Sequence, residues 1–285
     1  MIRSFQYKGS SLILASVLFA CSSPAPNWEN VSEEGSFLMY RRQSLIGEES
    51  FSITSDRDSI VIRSLQGENE RGRIRGVQAE LRLGIDLSPA YYRNRRIAGS
   101  DTTNVLEVVA SSQEVSIQEK DAGIVTATKW AAFFPVHSNI PAAMEMMLYH
   151  YYLERGLESL PTFPRGDVTL TFRQTDVVQI GGSPTPLDRY VVEGINWGLR
   201  TVWLNASNDL VALVQANTQF REAIRSGYEE ALPFFVASHV EEQMRTLAAY
   251  TEAHQEEPAA ITALVGGDLV DGLSDVTRTD MTLIV

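Results

Sequence analysis

The chain has 285 residues, of which 44% are hydrophobic, 21% charged and 9% aromatic. That composition excludes a disordered, collagen-like or disulfide-stapled protein and allows one large domain or two smaller ones. With 24 basic against 36 acidic side chains the net charge is −12. Such a surface repels polyanions, so nucleic acid is not an expected partner. A single cysteine excludes an internal disulfide and a cysteine-rich metal site.

Residues 1–20 hold Arg3 and Lys8 but no acidic side chain, followed by an apolar run over 12–20. That run is too short to span a bilayer, so it reads as a cleaved export signal. Leu18-Phe19-Ala20-Cys21 resembles the bacterial lipobox, with Phe19 a mild departure from its usual pattern. The resemblance implies lipidation of Cys21 as the mature N-terminus. Ser22 follows, and with no Asp there the implied site is the periplasmic face of the outer membrane. Multiple acyl chains on one residue give stable anchoring, which makes the membrane a partner through the lipid alone. Residues 21–34, rich in Pro, Ser and acidic side chains, read as a tether.

From residue 35 the period becomes two. Phe37, Met39 and Arg41 face one way and Leu38 and Tyr40 the other, with a turn expected at residues 46–48. Further strand-like runs lie at 49–54, 59–65, 77–85, 105–110, 114–117, 124–134, 168–174, 177–180, 189–195, 201–204 and 210–215. Their β-branched and aromatic content and short polar connections predict an antiparallel sheet over 35–217. A helix is predicted over 142–158, opened by Pro141, and a second helical segment over 218–257, broken at Pro233. Phe234, Val236, Val240, Met244, Leu247 and Ala248 stand at helical spacing on the second. The fold class is therefore mainly β (α+β): a curved antiparallel sheet with an inserted helix and a C-terminal helical segment. The opening Gly35-Ser-Phe and the closing Trp203-Leu-Asn205 resemble curved-sheet modules of bacterial envelope proteins, such as lipoprotein carriers, in which a long sheet wraps a helix.

Residues 263–272 (ALVGGDLVDG) and 281–285 resemble the opening of amidohydrolase-superfamily enzymes. The resemblance implies that 260–285 are the first strands of a small β-sandwich: a strand, a Gly-Gly turn, a second strand ending in Asp-Gly, then a third. It also implies an adjoining metal-dependent hydrolase domain as intramolecular partner. Zinc would be a cofactor only of that domain. The four histidines here, His137, His150, His239 and His254, form no His-X-His, so no catalytic residue and no metal ligand is assigned. On this reading the chain is the non-catalytic N-terminal part of an outer-membrane-anchored hydrolase. The alternative is a self-contained periplasmic lipoprotein that binds an apolar, lipid or peptide ligand. Candidate ligand-binding residues are Met147, Tyr149 and Tyr151, on a soft aromatic helix face with Met144, Met146 and Tyr152. The same face reads first as core under the sheet, the usual role of an apolar helix face. His150 and Glu154 share a helix face in the manner of a metal pair or a hydrogen-bonded contact. His239, Glu241 and Glu242 read as a solvated charged face, and Trp130, Trp197 and Trp203 as core.

Overall fold

A computed structural model describes residues 28–129, 132–136, 140–216, 220–253, 263–270, 272 and 276–284. Cys21, His137, His254 and Trp130 lie outside the described residues. A first arm of strands comprises β1 (Ser32–Arg41), β2 (Ser44–Ser55), β3 (Ser59–Glu70), β4 (Arg73–Gly84), β5 (Pro89–Ala98), β6 (Asp101–Ala110), β7 (Glu114–Glu119) and β8 (Ile124–Thr128). The second arm begins with β9 (Phe134–Pro135), the helix α1 (Ala142–Glu154) and β10 (Leu160–Phe163). It continues through β11 (Asp167–Ile180), β12 (Ser183–Glu193), β13 (Arg200–Leu204), β14 (Leu210–Gln215) and β15 (Arg221–Arg225). A 3-10 turn (Glu229–Ala231), α2 (Leu232–Ala253) and a hairpin of β16 (Ala263–Leu269) and β17 (Arg278–Ile284) follow.

The first fifteen strands form one curved, unclosed sheet in the order β8-β7-β6-β5-β4-β3-β2-β1-β15-β14-β13-β12-β11-β10-β9. Neighbours pair antiparallel, except that β9 and β10 run parallel. The predicted fold class holds: a mainly β chain whose sheet curves around an inserted helix, with a second helix near the C-terminus. Each strand alternates an inner and an outer row, the period of two that the sequence shows. Phe37, Ile53, Ile62, Leu81, Tyr92, Leu106, Val202 and Leu213 from both arms share one core with α1. That core explains the helix composition. Every residue from Ala142 to Tyr152 is buried, as befits a helix that is apolar on all sides and enclosed by a sheet. Each large side chain buried there contributes about 1.5–3 kcal/mol.

The N-terminus of α1 is capped from across the sheet. Pro141 makes no side-chain cap. Instead, Glu49 of β2 accepts hydrogen bonds from the backbone N–H of Ala142 (2.7 Å) and Ala143 (3.0 Å) and from the Ser64 hydroxyl (2.8 Å). These donors satisfy the carboxylate at the positive end of the helix.

A second apolar layer lies outside the sheet. Val178, Leu187, Trp203, Val211, Val214 and Ile224 on outer rows meet Leu232, Phe235 and Val236 of α2. Strands β13 and β14 are consequently buried on both faces. Among the described residues, no helix is long and apolar enough to cross a membrane.

Several local expectations are corrected. The β1–β2 turn falls at Arg42-Gln43, both at positive φ, and residues 46–48 continue β2. Residues 46–48 look like a turn because of Gly47. In the fold Gly47 instead permits close approach, for a Cβ there would stand 1.9 Å from the Gly67 carbonyl oxygen. The tether ends early, since Trp28 is buried and the Val31 N–H donates to Ser55 Oγ at 2.7 Å. Residues 221–225 form β15 rather than helix, because their backbone pairs with β1 and β14. Pro233 sits in the first turn of α2, where its missing N–H costs nothing, so it starts that helix rather than breaking it. Phe234, Val240, Met244 and Leu247 are exposed. The packed face of α2 is Leu232, Phe235, Val236, His239 and Glu242. Trp203 is core, whereas Trp197 is 81% exposed in a loop. Gly266-Gly267 is a bulge within β16, not a turn between two strands. The β16–β17 hairpin is hydrogen-bonded to itself and not to the large sheet, and it is exposed along nearly its whole length.

Candidate functional site

The two ends of the space inside the sheet differ. At the C-terminal end of α1 it is closed. Trp28 packs edge-on to His150 at 5.0 Å, His150 Nε2 lies 3.2 Å from Asp209 Oδ1, and Arg225 reaches Glu33 at 2.5 Å. Burial works to raise the pKa of Asp209, but the hydrogen bonds from His150 and Asn205 and the charges of His150 and Arg225 outweigh it and hold it low. His150 is thus part of a structural plug, and Glu154 does not join it. Among the described residues no group of three His, Cys, Asp or Glu side chains is placed to hold a metal.

At the N-terminal end of α1 the same inner rows change character. Following each strand to that end, the row passes from Phe37 and Met39 to Arg41, from Ile62 to Gln66 and Glu68, and from Leu81 and Val77 to Arg75. It passes likewise from Tyr92 to Arg96, from Val202 to Arg200, from Leu213 to Gln215, and from Ala223 to Arg221. Period-two geometry puts all these polar ends on the inner face. They line a cavity of about 670 Å³ whose apolar wall includes Met39, Val77, Ile140 and Leu213, with Trp197 beside the opening.

Within it, Glu145 of α1 pairs with Arg200 and accepts the Tyr149 hydroxyl at 2.7 Å, while Glu68 pairs with Arg221 and accepts from Gln66 at 2.5 Å. Arg200 and Gln215 are 4% and 5% exposed. Arg200 Nε and Gln215 Nε2 nevertheless have no hydrogen-bond partner among the described residues. An unsatisfied buried donor costs about 1–3 kcal/mol, so two in one cavity call for an acceptor. Arg75 and Arg96 stand exposed at the rim and form no ion pair among the described residues. Glu222 touches the cavity through β15, but its carboxylate belongs to the outer face, where Oε1 accepts from the Gln43 N–H at 3.3 Å. Burial there pushes its pKa up to about 7.

The candidate residues Met147, Tyr149 and Tyr151 are fully buried in the core, and none lines this cavity. Tyr149 serves it indirectly, by orienting Glu145. The arginine ring escapes the sequence reading because five strands supply one Arg each, from places scattered between residues 41 and 221. The legible signal is the inner row that ends in a charge, as in Met39-x-Arg41 and Arg75-x-Val77.

A second polar cluster lies under α2. The Ala216 N–H donates to His239 Nε2 at 2.9 Å, so Nδ1 carries the proton it gives to Thr201 Oγ1 at 2.8 Å. Burial outweighs the pull of Glu242 and lowers the His239 pKa to about 4. Glu242 contacts Arg173 and Arg245, and Asp176 holds Arg189 (3.1 Å) and the indole N–H of Trp203 (2.8 Å). His239 and Glu242, expected on a solvated face, are therefore buried and bonded, because this face of α2 meets the sheet.

No protein-family model and no curated protein matches the chain. Among solved structures, the chain is similar to a β-barrel-like protein of the domain of unknown function DUF1849 from Brucella abortus. The identity is 9% and the TM-score 0.49, over 69% of this chain and 96% of that one. It is also similar to a DUF1089 family protein from Pseudomonas aeruginosa, with 9% identity and a TM-score of 0.32, over 67% and 94% of the two chains. Neither similarity assigns a ligand or an activity.

Proposed function

We propose that the curved sheet and its helix form a ligand-binding domain that takes an elongated small molecule or lipid into the cavity at the N-terminal end of α1. The cavity carries this reading: about 670 Å³ of space, walled by apolar side chains, into which two buried, unpartnered donors are built. Packed interiors rarely leave voids much larger than a water molecule, whereas small-ligand sites run to about 300–1,000 Å³. A fluorescent acyl-chain probe is expected to bind the purified protein at one site. Ala98→Trp, which fills the opening from an exposed position, abolishes that binding. Equal binding by the variant, or none by either protein, refutes the reading.

We further propose anchoring to the periplasmic face of the outer membrane through a lipidated Cys21, supported by the lipobox-like residues 18–21. Cys21→Ser would then move the protein from the membrane to the soluble fraction. The amidohydrolase resemblance of residues 263–285 supports a separate proposal, that this domain serves a hydrolase joined to it. The intact mass of the native protein, if well above that of 285 residues, favours it.

A further inference from the structure

We propose that the ligand of this cavity is an anionic amphiphile, with a carboxylate or phosphate head held by Arg200 and Gln215 and an apolar chain lying along Met39, Val77 and Leu213. This rests on the cavity being a ligand site, and it names what the site selects.

Three observations carry it. The first is local charge. Five arginines, Arg41, Arg75, Arg96, Arg200 and Arg221, line the space against two inward glutamates, Glu68 and Glu145, a local charge of +3 in a chain of net charge −12. Both glutamates already hold an arginine, so the acids orient the ring without neutralising it.

The second is the sign of the unmet hydrogen-bonding capacity. Arg200 Nε and Gln215 Nε2 are both donors, and a guanidinium edge beside an amide N–H matches the oxygens of a carboxylate or phosphate. A cationic head would meet only like charge there. A hydroxyl head can accept both hydrogen bonds but brings no charge to the arginines and adds an O–H that needs an acceptor of its own.

The third is the division of the wall. Polar groups gather where the inner rows end, while the apolar residues lie on the core side of them and beside exposed Trp197. A molecule polar at one end and apolar along its length fits that division. A sugar or a peptide, polar throughout, does not.

Calorimetric titration of the full chain with decanoate, decyl phosphate, decanol and decyltrimethylammonium tests this. The two anions are expected to bind at least about tenfold more tightly than the alcohol or the cation, with the advantage shrinking in high salt. Since Arg200→Gln disturbs a buried ion pair and can unfold the domain, the variant of choice is the rim pair Arg75→Glu/Arg96→Glu, both exposed. It should weaken the anions about tenfold and leave decanol unchanged. Decanol binding as tightly as decanoate overturns the anionic head and leaves the cavity standing as a ligand site. Failure of all four to bind overturns the ligand site itself.

Discussion

Replacing Glu49 by alanine removes the side chain that caps the enclosed N-terminus of α1. Two backbone N–H groups, on Ala142 and Ala143, and the Ser64 hydroxyl lose their acceptor in a region that water does not reach. The cap alone is worth about 1 kcal/mol, and each buried N–H left unmet costs about 1–3 kcal/mol, so the loss sums to roughly 4 kcal/mol. Burial also raises the pKa of Glu49 to about 7, against those same hydrogen bonds, which pull it down. A carboxyl near 4.5 when unfolded and near 7 when folded binds more protons in the folded state across that interval. Its stabilising contribution is therefore whole below pH 4.5 and is lost as pH rises through 7. At 1.36 kcal/mol per unit, that loss is roughly 3 kcal/mol. The destabilisation by Glu49→Ala, measured by urea unfolding, is accordingly expected to be about 4 kcal/mol at pH 5 and about 1 kcal/mol at pH 8. A cost below about 1 kcal/mol at pH 5, or one that does not change with pH, refutes the reasoning.

The remaining expectations concern other parts of the fold. His239 is held neutral, with a pKa near 4 against 6.5 when unfolded, so its contribution is complete above pH 6.5 and is lost as pH falls through 4. The size is about 3 kcal/mol, and urea midpoints of wild type and His239→Gln should converge in acid. Asp176→Ala strands Arg189 and the Trp203 indole and should cost about 3–5 kcal/mol by chemical unfolding. Gly47→Ala drives a methyl against the Gly67 carbonyl and should lower stability by at least about 2 kcal/mol. Trp197→Ala, at an exposed side chain, should leave the melting temperature nearly unchanged while weakening binding of the acyl probe.

The parts of the fold legible in the sequence are those set by local pattern. Phe37, Met39 and Arg41 share a face because a strand alternates, and 142–154 is helical because it follows a proline and holds no β-branched residue. What was not legible depends on partners far away in the chain. The cap of α1 lies 93 residues upstream. His239 reads as solvated until its helix is laid on Thr201 and Ala216. Residues 221–225 are helix-compatible in isolation and become a strand only because β1 and β14 offer hydrogen bonds on both sides. The arginine ring is the extreme case, since alternation places each side chain and curvature alone gathers them.

The strand order also bears on how the chain reaches this shape. In the fifteen-stranded sheet every neighbouring pair but one joins strands consecutive in the chain. The exception, β1 with β15, brings Phe37 opposite Arg225. Closing so long a loop carries an entropic penalty that local hairpins avoid, so the two arms can zip independently and the seam between them is the slow, late event. Lesions within an arm, whose contacts are already made when the seam closes, would then mainly retard refolding, whereas lesions at the seam, such as Met39 opposite Ala223, would divide their cost between slower refolding and faster unfolding.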